Sequence, residues 1–293
     1  MTTTLVVVWA VSALALLLVL ISMSLWYRRR RTPALIGYDG LDLANRWVRS
    51  LRLVLLLVAL YITANVMFTT PHFGGVLIAP GLGALLVVAG TAVIDWLIFG
   101  RQSKTRPTHP WRALPVRLLV VTLGTMAGLI VAIVLTAKRS GPDGVSYPEI
   151  WLEGDVWKWA TITPYVGPAY TGPLTRLILV LAVVALAAIV AVMARPAYLP
   201  TEDYRAIERG LRRRAIRDIL AAVLGAGATS LAIMAGDVAW VLAGDGPDVW
   251  QRSVVMMVAV GVGCAMVAIA CWAFASLILL DQPAEDWRLV IPR

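Results

Sequence analysis

Three groups of side chains in this sequence have the types and spacing to do chemistry. The first is Trp151, Glu153, Asp155, Trp157 and Trp159, with Tyr147, Glu149, Tyr165 and Tyr170 around them. Aromatic faces attract cations and stack on sugars, and neighbouring carboxylates fix polar groups, so such a segment suits recognition of a ligand or a protein. The same composition also suits a cap resting at a lipid interface. The second group is Tyr61, Asn65, Thr229 and Ser230, with Thr63 and Thr125, small polar groups set inside apolar stretches. They could line a path for an uncharged solute or hydrogen-bond one helix to another. The third is Asp95 and Asp237, each near the end of an apolar stretch. Ionised groups are costly there unless paired, so Asp95 is expected to pair with Arg101 or Arg117, and Asp237 with Arg176 or Arg252.

Several chemistries lack their residues. The two histidines, His72 and His109, fall in connections on opposite sides of the expected bundle, which excludes bis-histidine haem ligation and a histidine-dependent serine protease. Cys264 and Cys271 share one apolar stretch, about 10 Å apart along a helix and beyond the roughly 7 Å reach of a disulfide. No phosphate-binding glycine loop is present. The sequence therefore points to no catalytic residue, cofactor or metal ligand. An enzyme acting on lipid-linked substrates through Glu149, Glu153 or Asp155 is the remaining catalytic reading, with no spacing that singles out a pair.

The elements that must position these groups are read from hydropathy. The 293 residues are 60% hydrophobic with a mean hydropathy of +0.80. Seven apolar stretches, Leu5–Trp26, Leu51–Phe68, Pro80–Phe99, Leu118–Ala137, Leu177–Ala194, Ile219–Leu242 and Val254–Leu280, are each long enough for the roughly 20 residues that cross hydrocarbon as a helix. They do not alternate as barrel strands would. The expected fold is an all-α integral membrane protein: one polytopic domain over residues 1–293, a bundle of about seven transmembrane helices.

The net charge of +9 resides in particular loops. Of 26 basic residues, 21 fall after the first, third, fifth and seventh stretches, whereas Lys138, Arg139, Lys158, Arg176 and Arg252 lie on the other side. By the positive-inside rule this predicts an outside N-terminus and a cytoplasmic C-terminus, with the first stretch an uncleaved anchor rather than a signal peptide. The charge needs no nucleic acid to explain it. Arginine outnumbers lysine 23 to 3, a usage common in high-GC bacteria, so a bacterial plasma membrane is the expected location.

Two connections carry further expectations. Residues 138–176 form an extracytoplasmic aromatic-rich loop. Residues 195–217 form a basic amphipathic cytoplasmic helix, with Tyr204, Ile207, Leu211 and Ala215 on one face and arginines on the other, lying on an anionic inner leaflet. Asp42–Arg52 is likewise expected to lie along the cytoplasmic face before turning into the second stretch. Pro80 is expected at the first turn of the third stretch, where its missing N–H costs little, leaving Thr69–Ala79 as a connection or shallow re-entrant turn. Gly124 and Gly128 form a G-x-x-x-G pair suited to close helix packing.

The function that fits is a non-catalytic multi-pass membrane subunit or assembly partner of a plasma-membrane complex. A transporter or channel for an uncharged or lipid-like solute is the alternative. The implied partners are the bilayer, with its anionic inner leaflet, and other membrane or cytoplasmic proteins.

Overall fold

The computed structural model describes residues 38–69, 73–99, 113–144, 147–153, 156–162, 167–196, 205–242 and 249–279. Six helices account for most of them: α1 (Tyr38–Thr69), α2 (Phe73–Phe99), α3 (Val116–Arg139), α4 (Pro168–Ala194), α5 (Arg205–Leu242) and α6 (Val249–Leu279). All six are long and apolar enough to cross a membrane. The expected stretch Leu5–Trp26 lies outside the described residues.

α2 and α5 are the hubs. α2 packs on α1, α4 and α5, and α5 also holds α3, α4 and α6. The apolar stretches of these two helices are mostly enclosed by protein, whereas α6 is attached along a narrow stripe and leaves the rest of its surface open. That stripe, Met256, Ala259, Gly263, Met266, Ala270, Ala273 and Leu277, recurs every three or four residues, the period of one helix face. The side chains open on the other faces, such as Val258, Val267, Trp272 and Phe274, are apolar, as a lipid-facing surface requires.

Close approach in the bundle depends on glycines of α2. A Cβ added at Gly83 would overlap Thr63 Oγ1 of α1, and one at Gly81 would stand 2.6 Å from Leu177 Cδ2 of α4. The G-x-x-x-G pair of α3 plays a smaller part than its pattern suggests. Gly124 faces open space, and Gly128 has only Leu231 at ordinary contact distance.

Four expectations about element ends are corrected. α2 begins at Phe73, so Pro80 sits inside the helix and residues 73–79 form its first turns, not a connection. A proline at that point removes the ladder hydrogen bond to the Val76 carbonyl, and neighbouring helices donate to two carbonyls beside it. Ser230 Oγ of α5 donates to the Leu77 carbonyl at 3.0 Å, and Thr63 Oγ1 of α1 reaches the Ala79 carbonyl at 3.4 Å. The segment at Asp42–Arg52 does not turn; it is continuous with the span in α1. The basic segment before the sixth stretch is not a separate surface helix either, because from Arg205 onward it belongs to the 38 residues of α5. Finally, the 138–176 connection is shorter than its charge pattern implied, since α4 starts at Pro168 and takes in Tyr170 and Arg176.

The spanning part is all-helical, and the connection between α3 and α4 carries a two-stranded antiparallel hairpin, β1 (Tyr147–Glu153) and β2 (Val156–Ile162). A backbone neck closes beneath it: Gly144 N–H donates to the Gly141 carbonyl, and Ala169 N–H at the start of α4 donates to the Gly144 carbonyl at 3.2 Å. Both glycines are needed there. Gly144 has a φ of +70°, and a Cβ on Gly167 would overlap the Gly144 carbonyl.

Candidate functional site

The densest concentration of polar chemistry among the described residues lies where the arginine-rich ends of α1, α2, α4 and α5 meet. Every helix end leaves up to four carbonyls without intrahelical partners, and in a membrane protein water reaches few of them. Two arginine forks fill this need. Arg195, the residue that ends α4, donates from Nη1 to the Phe99 carbonyl at the end of α2, at 3.3 Å. Arg212 of α5 reaches back to α4, donating from Nη1 to the Met193 carbonyl at 2.7 Å and from Nη2 to the Arg195 carbonyl at 2.9 Å. Both side chains are enclosed, Arg195 at 0% and Arg212 at 2% exposure. The planar five-donor guanidinium suits such bridging in a way a lysine would not.

The positive charge thus buried is compensated locally. Arg195 Nε lies 2.7 Å from Asp95 Oδ2, and its Nη2 lies 3.1 Å from Glu208 Oε1. Arg212 Nε donates to the same Glu208 oxygen at 3.0 Å, one helical turn along α5. Arg195 also stacks over the Phe99 ring at 5.2 Å, and Arg52 of α1 forms an ion pair with Asp218 of α5. Arg217 approaches Asp218 at 3.9 Å from the edge of the cluster. Three carboxylates therefore face three enclosed or half-enclosed arginines and a fourth at the rim. Such balance is required because an unpaired buried ion costs several kcal/mol in desolvation. The Asp95–Arg195 contact is ionic and lies off the hydrogen-bond direction, so Asp95 is 1% exposed with no hydrogen-bond donor on either carboxylate oxygen among the described residues.

Asp95 was expected to pair with Arg101 or Arg117; its partner is Arg195. Arg101 lies outside the described residues, and Arg117 is exposed in the first turn of α3. Asp237 is half-buried in α5, Arg176 is exposed in α4, and Arg252 belongs to α6. The solute-path candidates do not line one wall. Tyr61 is 60% exposed on α1, whereas Ser230 is enclosed and spends its hydroxyl on Leu77. Thr229 Oγ1 donates to its own helix at Gly225, and Asn65 lends its carbonyl to Thr69 Oγ1.

Of the aromatic recognition group, Trp151 and Glu153 lie in β1 and Trp157 and Trp159 in β2, while Asp155 lies outside the described residues. The register pairs Trp151 with Lys158, Leu152 with Trp157 and Ile150 with Trp159. Because strand positions alternate between faces, Ile150, Leu152, Trp157 and Trp159 share one face of the hairpin. Tyr147, Glu149, Trp151, Glu153, Val156, Lys158, Ala160 and Ile162 share the other.

Sequence reading did not single out Arg52, Arg195, Glu208, Arg212 or Asp218. A signal was nonetheless present: Glu208 and Arg212 lie in helical phase with Leu211, Ala215 and Ile219, an apolar face that a solvated arginine stripe would not share. Metal chemistry has no cluster to build on, since no group of three or more histidine, cysteine, aspartate or glutamate residues gathers among the described residues. No family model, characterised protein or solved structure matches the chain.

Proposed function

We propose that the chain is a non-catalytic, multi-pass subunit or assembly partner of a complex in a bacterial plasma membrane. Its arginine-rich end would be cytoplasmic and the hairpin extracytoplasmic. The observation that carries this reading is the hairpin on its hydrogen-bonded neck, whose register puts all three charged positions, Glu149, Glu153 and Lys158, on one face. A flexible connection needs neither a closed neck nor such a register. The buried charge cluster supports the same reading, because its donors are spent on helix ends rather than directed at a substrate.

The test is purification in mild detergent after brief cross-linking, using the parent chain and a variant with residues 146–163 replaced by a short glycine–serine linker. The parent should bring down a stoichiometric membrane or extracytoplasmic protein, and the variant should lose it while melting at the parent temperature. A parent chain that purifies alone would overturn the reading. Orientation is tested with Ser140→Cys and Thr201→Cys on a cysteine-free background, which should react with an impermeant reagent from opposite sides of the membrane.

A second reading, a path for an uncharged solute, is favoured by Pro80 inside α2. Prolines within spanning helices accompany binding sites in many transporters, and Ser230 donates to the backbone three residues before Pro80. Unchanged flux in proteoliposomes after replacing Tyr61, Asn65, Thr229 and Ser230 in turn would remove it.

A further inference from the structure

The hairpin between α3 and α4 has a side that the helices leave uncovered. Among the described residues each strand packs on the other, and neither packs along a helix. A two-stranded ribbon is marginal in water unless something covers one side of it. The register sets which side needs that cover. Pro148, Ile150 and Leu152 of β1 stand opposite Thr161, Trp159 and Trp157 of β2, so these six share one face, and none of them is charged. Glu149, Glu153 and Lys158 fall on the other face, and Lys158 is exposed.

The neck fixes the depth at which this ribbon starts. α3 has 24 residues, about 36 Å of helix against roughly 30 Å of hydrocarbon, and its last turn carries Lys138 and Arg139, both exposed. That end therefore stands at headgroup level. Ser140 N–H donates to the Thr136 carbonyl and Ala169 N–H to the Gly144 carbonyl, so the chain leaves α3 and enters α4 through one closed loop at that level. Tyr147 is three residues beyond Gly144, so the first strand pair, Tyr147 with Ile162, lies within about 11 Å of the neck. In an upright ribbon Trp159 and Trp157 would be carried roughly 10 Å and 17 Å further into water. Laid over on its uncharged face, the ribbon returns both indoles to headgroup level, where amphipathic rings are favoured.

We infer that the hairpin lies on the adjacent leaflet, with the face of Ile150, Leu152, Trp157 and Trp159 seated in the lipid interface and the face of Glu149, Glu153 and Lys158 turned to water. The occupant is lipid because the face is uncharged from base to tip, whereas protein interfaces ring an apolar centre with polar groups. The bilayer is also the apolar surface within reach of the neck. It is continuous with the open sides of α3 and α4, where Leu135 is 57% and Leu179 is 63% exposed. Seated this way, the ribbon keeps its charged face open to a partner. The inference rests on the bilayer placement of the six helices and not on the subunit role.

Spin labels placed one at a time at residues 149–153 of a cysteine-free chain test it, with the chain reconstituted alone in phosphatidylcholine vesicles. Collision with oxygen, which concentrates in hydrocarbon, is compared with collision with a neutral nickel chelate, which stays in water. I150C and L152C should favour oxygen, and E149C, W151C and E153C the chelate, so the ratio of the two rates crosses unity at every residue. Adding W157S/W159S should bring the chelate to I150C and L152C and erase the alternation, whereas W157F/W159F keeps most of it. The helices of W157S/W159S should melt at the parent temperature; a fall would assign the tryptophans to the bundle and overturn the inference. Chelate-favoured collision at all five positions would overturn it as well, as would an unchanged alternation in W157S/W159S. An alternation seen in native membranes but absent from vesicles of the chain alone would give the face to a protein partner instead. Because the labels are read without any partner present, this test and the co-purification can fail separately.

Discussion

Replacing Arg195 with methionine should destabilise the chain by about 3–5 kcal/mol, and a second substitution, Asp95→Asn, should give part of that back. The methionine keeps much of the side-chain volume in a fully enclosed position but withdraws the guanidinium from Asp95, Glu208 and the Phe99 carbonyl together. Glu208 keeps Arg212 at 3.0 Å, so its charge remains paired. Asp95 does not: it is 1% exposed, and Arg195 is its ion-pair partner. The dominant cost is therefore a stranded carboxylate, and turning it into an amide removes that cost. Alone, Asp95→Asn should cost only about 1 kcal/mol, because Arg195 still holds Glu208 and the end of α2. The double variant should then be more stable than Arg195→Met by about 1–3 kcal/mol, a favourable coupling of the size adjacent groups show. Equilibrium unfolding in mixed micelles with increasing sodium dodecyl sulfate measures all three, and moderate salt should leave the differences intact because the pair is shielded from solvent. If Asp95→Asn adds its own penalty to that of Arg195→Met, the aspartate is not held by that arginine and the account of the cluster is wrong.

Four further outcomes follow from the packing. Gly83→Ala should cost about 1–3 kcal/mol, since the new methyl overlaps Thr63 Oγ1 and comes within 3.3 Å of the Ala59 carbonyl; Thr63→Ala in the same chain should recover part of it in the same unfolding assay. Ser230→Ala should cost about 0.6–1.7 kcal/mol through loss of the bond to Leu77, and a zero effect would mean the backbone at Pro80 needs no outside donor. Gly167→Ala forces a methyl into the Gly144 carbonyl, so hydrogen exchange in strands 147–153 and 156–162 should accelerate while the spans stay protected. Cys264 and Cys271 are exposed on the apolar outer face of α6. In vesicles they should react with a lipid-soluble maleimide and resist a charged one; rapid labelling by the charged reagent would make that face water-lined.

The spans were legible because hydrocarbon thickness imposes a length and a composition, and runs such as Leu177–Ala194 meet both without any tertiary information. Their ends were not, and the reason differs from place to place. Pro80 normally stops a helix, and nothing local reveals that α2 runs through it or that Ser230, 150 residues later, donates to the backbone beside it. The hairpin was hidden because its aromatic and acidic residues read equally as an irregular cap, and only the pairing of Gly144 with the start of α4 gives it a base. The cluster was missed because the positive-inside rule counts arginines without asking which way they face. Arg212 and Arg213 contribute equally to that count, yet a rotation of about 100° separates an enclosed fork that closes two carbonyls from an exposed cation. What separates them in the sequence is phase. Arg212 falls in step with Glu208 and with the apolar Leu211, Ala215 and Ile219, whereas Arg213 falls in step with Arg209 and Arg217. Charges that orient a span and charges that lock its ends are one residue type in two helical phases. A carboxylate one turn away on an apolar face marks the second kind before any coordinates are known.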